Sequence, residues 1–109
     1  MKKVKIDIFK SAVFFYAPSE MLEFERDYNL KVGTDSLGKQ CGNGVWVKQK
    51  KIGLVAHECV HLCDWLIHDR LETGAVKEEI CELRAYITEY FIEQYAKYLD
   101  EKTKGEKGK

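Results

Sequence analysis

The chain has 109 residues, 45% apolar and 33% charged, which fits one globular domain and leaves no room for a second core. Eighteen basic and eighteen acidic residues cancel to zero formal charge, which argues against a nucleic-acid module held by bulk electrostatics. No apolar run approaches the roughly 18 residues of a membrane span, and Asp7 interrupts any signal-peptide core after the basic start Met1-Lys2-Lys3, so a cytoplasmic protein is expected.

Val4 to Phe9 alternates apolar and charged residues, and Ser11 to Ala17 contains Ala12-Val13-Phe14-Phe15-Tyr16; both have strand composition. Pro18 stops the second. Ser19 is a natural N-cap, with Glu20 and Glu23 in the first turn of a short amphipathic helix that carries Met21, Leu22, Phe24 and Tyr28 and ends near Asn29. Lys31 to Gly44 is rich in Gly, Ser, Asp and Asn and reads as a long loop, which in so short a chain is often functional. Val45-Trp46-Val47 reads as a strand leaving it, able to pair with an extended peptide as sheet edges do.

Two long helical patterns follow, joined at Thr73-Gly74. The first, from about Lys51 to Arg70, places Val55, Cys59, Leu62 and Leu66 on one stripe and His57, His61, Asp64 and His68 on the other. The second, from about Val76 to Leu99, has the apolar stripe Ile80, Leu83, Ile87, Phe91 and Tyr98. The predicted fold is α+β: a two- or three-stranded sheet packed on the first long helix, with the second helix antiparallel to it. The domain runs from residue 1 to 101. Residues 102–109 hold four lysines and no apolar side chain and are expected to form a disordered tail. Cys41, Cys59, Cys63 and Cys81 contain no C-x-x-C pair and read as free, mostly buried thiols.

The chemistry concentrates in His57-Glu58-Cys59-Val60-His61, an H-E-x-x-H sequence. On a helix, residues i and i+4 differ by about 40° in direction, so both imidazoles can share one tetrahedral ion. Glu58 lies about 100° around from His57, where it reaches a water at that ion as a general base. All three histidines of the chain fall on one polar stripe, which a merely solvated face would also produce. A catalytic zinc takes a third protein ligand. His68 lies about 10 Å beyond His61 along the axis, too far for the same ion. The second helix offers Glu78, Glu79 and Glu82.

H-E-x-x-H followed by a glutamate on a second helix resembles the gluzincin metallopeptidases, and the compact form looks like the minigluzincins. Glu82-Leu83-Arg84-Ala85-Tyr86 is similar to the E-x-x-A-Y segment of small phage and prophage zinc-peptidase-like proteins, and Ile87-Thr88-Glu89-Tyr90 continues that likeness. The resemblance implies a zincin-like fold, Zn2+ held by His57, His61 and Glu82, Glu58 as catalytic base, and a peptide or protein substrate. Glu78 and Glu79 stay open as substitutes for Glu82. Tyr86 stands at the step where longer-motif gluzincins carry an acid; it could accept from a ligand imidazole or donate to the oxyanion. Tyr16 is a second candidate for the oxyanion, and Asp64 for orienting a histidine. The alternative is a non-catalytic zinc-binding protein of phage type that acts through a partner.

Overall fold

The computed structural model describes residues 1–6, 10–70 and 77–107, without the side chains of 69–70, 77–81 and 106–107. Strands β1 (Lys2–Ile6) and β2 (Ser11–Tyr16) come first, then a single 3-10 turn over Pro18–Glu20 that leads into helix α1 (Met21–Tyr28). Strands β3 (Gly38–Cys41) and β4 (Gly44–Val47) follow, then the long helices α2 (Ile52–Arg70) and α3 (Lys77–Lys107). The fold is α+β, a mixed four-stranded sheet of order β1-β2-β4-β3 packed with three helices, two of them against each other.

The sheet has one strand more than expected. β1 and β2 pair antiparallel, β2 and β4 parallel, and β4 pairs antiparallel with β3, a strand inside the segment read as loop. Gly42 and Asn43 connect β3 to β4, and Gly42 has φ +53°, the positive value that a two-residue hairpin turn needs. The Gly42-Asn43 pair is itself a hairpin signal in the sequence. The hairpin also corrects the edge assignment: Val45-Trp46-Val47 lies between β2 and β3, all three residues buried, so the edge is β3.

Strand alternation sends side chains to two cores. Val4, Ile6, Val13, Phe15, Val45 and Val47 face the long helices, where they meet Val55, Cys59, Leu62, Cys63 and Leu66 of α2 and Ile87, Phe91, Tyr95 and Leu99 of α3. Tyr16 and Trp46 point the other way and pack with Phe24 of α1. The apolar stripe predicted for α2 is thus buried; on α3 Ile87 and Phe91 are buried with Tyr95 and Leu99, Leu83 and Tyr98 are partly buried, and Ile80 lies outside the described side chains. Phe15 is the hub: its ring stacks on Tyr95 at 4.8 Å and meets Phe91 edge-on at 6.1 Å. Lys50, just before α2, pairs with Asp100, and Asp64 pairs with Arg84 at 3.1 Å, so α2 and α3 run in opposite directions.

The helix boundaries differ from the expectation at two places. Helical structure begins at Pro18, before Ser19, because the Glu20 carboxylate turns back to accept the Ala17 N–H at 2.8 Å. That carboxylate is buried, and it also accepts from the Tyr98 hydroxyl at 2.6 Å and pairs with the Met1 ammonium. α1 ends at Asn29, as expected, in the left-handed conformation at φ 51°. The lysine-rich end continues α3 as far as Lys107, and Thr103 Oγ1 donates to the Leu99 carbonyl at 2.8 Å. Lysine and glutamate are good helix formers, so an established helix propagates through them without apolar contact. Cys59 and Cys63 are buried free thiols and Cys41 is a partly buried one; Cys81 lies outside the described side chains. Among the described residues no helix is long and apolar enough to cross a membrane.

The Tyr95 hydroxyl is buried and donates to the Tyr16 carbonyl, joining α3 to the end of β2. Tyr95→Phe leaves the stacking surface and removes the donor. It should cost about 1–3 kcal/mol in denaturant unfolding; an unchanged midpoint would show that this bond contributes nothing.

Candidate metal and peptide site

The setting of α2 on the sheet decides what its polar residues do. With Cys59 buried at the centre of the contact, His57 and His61 fall on the far side of the helix, and Glu58 falls about 100° from Cys59 on the flank toward β3. Asp64 and Cys63 fall on the flank toward α3, where they meet Arg84; Asp64 is therefore engaged in an interhelical ion pair. A shallow cleft of about 310 Å³ opens beside α2, lined by Gly38, Lys39 and Gln40 of β3 and by His57, Glu58 and His61.

The two imidazoles converge. His57 Nε2 and His61 Nε2 lie 3.2 Å apart with ring planes at 80°. Two Zn–N bonds of ~2.0–2.1 Å at a tetrahedral angle span about 3.3 Å, so the pair fits one ion at two coordination positions. Without metal, the same separation lets one neutral ring donate to the other. His57 is largely exposed, which leaves the ion position open to the cleft.

Glu58 is different in kind. Its side chain is only 7% exposed, and one carboxylate oxygen, Oε2, is 4.0 Å from His57 Nε2. Burial raises its pKa above the ordinary value of 4.5, against the opposing pull of His57, His61 and Lys39. A carboxylate of raised basicity beside a pair of converging imidazoles is suited to take a proton from water.

The second long helix places its candidates elsewhere. Glu82 is exposed; nine residues before buried Phe91, it sits half a turn around α3 from the core. Tyr86 is 67% exposed and lies about 140° from Phe91. Neither lines the cleft. Glu78 and Glu79 lie outside the described side chains. Among the described residues, no group of three His, Cys, Asp or Glu side chains converges on one point. Tyr16 is displaced from the site altogether: it is buried on the α1 face of the sheet and donates to Asp27 Oδ2 at 2.7 Å, which corrects its candidacy as an oxyanion donor.

The β3 side of the cleft, Gly38, Lys39 and Gln40, carries no signal in the sequence. The phase of the hairpin shows what that strand offers. Lys48 N–H donates to the Leu37 carbonyl at 2.9 Å, and the register pairs Gly38 with Val47, Lys39 with Trp46 and Cys41 with Gly44. Hydrogen-bonded and non-bonded pairs alternate in an antiparallel ladder, so Lys39 and Cys41 bond to β4. The backbone N–H and C=O groups of Gly38 and Gln40 therefore point outward, along the free edge beside the cleft. The Gln40 side chain is tied down by donating to the Gly42 carbonyl at 2.7 Å.

A carboxyl whose pKa is raised by folding binds a proton more tightly in the folded than in the unfolded chain. Stability is then lost as pH rises from the unfolded value through the folded one. Metal-free Glu58→Gln should accordingly be more stable than metal-free wild type at neutral pH, with a gap that opens as pH rises above about 4.5 and closes below it. Thermal unfolding of both proteins across that range checks the sign; a gap that grows on acidification would contradict it.

Comparison of the chain with family models, curated proteins and solved structures finds no match.

Proposed function

We propose that the chain is a zinc-dependent peptidase of gluzincin type, with a zincin-like arrangement of sheet and helices, acting on a peptide or a specific protein. The observation that carries this reading is the His57–His61 pair at 3.2 Å with the buried carboxylate of Glu58 at its side. Solvated histidines have no need of such convergence, nor of an acid withdrawn from water beside them. The free edge of β3 supports the reading from across the cleft, since extended peptides add to sheet edges through main-chain bonds.

Each residue then has a task. His57 and His61 would hold the ion through their converging Nε2 atoms. The zinc ion, when bound, supplies the Lewis acidity that polarises a carbonyl and makes water a nucleophile near neutral pH. Glu58 removes the proton from the attacking water and delivers it to the leaving amine. The outward backbone groups of Gly38 and Gln40 hold the substrate chain extended beside that carboxylate. By resemblance Glu82 would be the third ligand, although its side chain is exposed and does not line the cleft; a role for Tyr86 near the oxyanion would follow only if Glu82 ligates.

The ligand set and the base separate by mutation. His57→Ala and His61→Ala should lose zinc, read as metal per protein after zinc exposure and dialysis, and should lose peptide hydrolysis with it. Glu58→Gln should keep zinc and lose hydrolysis. Wild type that holds no stoichiometric zinc would overturn the proposal, and zinc binding without turnover of any peptide library would leave the non-catalytic alternative. Glu82→Ala tests the third position, since unchanged zinc affinity removes Glu82 from the ligand set.

The edge role has its own variant. Proline at Gln40 removes an outward N–H that the sheet does not use, so the fold should survive. Gln40→Pro should raise KM by roughly tenfold through lost peptide pairing, whereas Gln40→Ala should leave it within about twofold. Equal KM values for the two variants would rule out pairing on β3.

A further inference from the structure

We propose that Gly38 is a positioning residue for Glu58: the absence of a side chain at the first residue of β3 creates the seat in which the Glu58 carboxylate rests. This deepens the peptidase reading and rests on it for its catalytic meaning. A methyl group built on Gly38 would lie 2.8 Å from Glu58 Oε2, 3.0 Å from its Cγ and 3.1 Å from its Cδ. Three atoms of one side chain inside that range mean that the end of Glu58 lies flat against the Gly38 backbone. Conformation is not the reason for glycine here. Unlike Gly42, Gly38 has no positive φ, and it sits in regular antiparallel register opposite Val47. Any residue can adopt that backbone; only space forbids one.

Two features make the contact more than packing. Glu58 is buried, so it has little freedom to move aside. Gly38 is also one of the two β3 residues whose backbone faces outward along the free edge. One contact therefore fixes the base relative to the strand that would carry the substrate. A peptide paired on β3 would be placed against Glu58 without any further device. Positional errors of about 1 Å at a reacting group cost on the order of a hundredfold in rate, so the seat matters to turnover more than to folding.

The test is a double-mutant cycle on the full chain, with Gly38→Ala in two backgrounds: wild type and Glu58→Ala. In metal-free protein, Gly38→Ala should lower Tm by roughly 5 °C beside Glu58 and by less than about 1 °C beside Glu58→Ala, where the obstructed atoms are gone. An equal loss in both backgrounds overturns the seat, whatever the protein's activity. With zinc bound at the wild-type ratio, Gly38→Ala should lower kcat roughly 10- to 100-fold with KM within about twofold. Wild-type kcat in Gly38→Ala overturns the positioning role. A wild-type protein without turnover would sink the peptidase reading and leave the Tm cycle to decide the seat.

Discussion

The rotational setting of α2 on the sheet is the constraint on which the site depends. Cys59, Val55, Leu62 and Leu66 are drawn against Val13, Phe15, Val45 and Val47 by burial of apolar surface, and that contact leaves no freedom in how the helix is turned. The residues between them are then assigned their surroundings by helix geometry alone. His57 and His61 are sent outward to a common point, Glu58 is pressed to the flank of β3, and Asp64 is given to α3. A hydrophobic stripe thus sets the protonation behaviour of an acid that is not part of it. Cys59 is small and apolar, so Glu58 and Val60 can flank it without opening a gap in the core.

The two faces of the sheet divide the labour. The α2–α3 face carries the main core, with Phe15 stacked on Tyr95. The α1 face carries a smaller aromatic cluster of Tyr16, Phe24 and Trp46, extended by Tyr28. Tyr28 lies across Gly44 and donates to Asn43 Oδ1 at 2.8 Å, while Asn43 Nδ2 donates to the Ala12 carbonyl at 3.2 Å. Helix α1 therefore grips the turn of the β3–β4 hairpin from behind. The edge strand that faces the cleft is held in place by residues of the opposite layer.

Much of this could be read from the sequence, for reasons that differ by element. The stripes of α2 and α3 show in spacing because one side of each helix is buried and the other is not. The convergence of His57 and His61 shows because it is a local property of one helix turn. β3 was hidden since Gly38-Lys39-Gln40-Cys41 has none of the branched or aromatic residues of a buried strand; it is held by its ladder to β4, a non-local pairing. Edge and interior strands are indistinguishable in the sequence for the same reason, because strand order is set by pairing across the chain. Tyr16 carries a hydroxyl on an apolar strand, and only the sheet's two-sidedness shows that it faces α1. The outward angle of Glu82 could be inferred from its distance to the core stripe, whereas its relation to His57 and His61 depends on how two helices pack.

The sheet presents two edges of unlike character. β1 carries Lys2, Lys3 and Lys5, all exposed, along its length. Lysines on an edge strand repel an incoming copy of the same strand and are a common defence against sheet-to-sheet association. β3 has only Lys39 and is otherwise glycine, glutamine and cysteine. The chain therefore carries this defence on one edge and little of it on the other. Charge repulsion that keeps like sheets from pairing is thus built into one edge of this sheet and almost absent from the other.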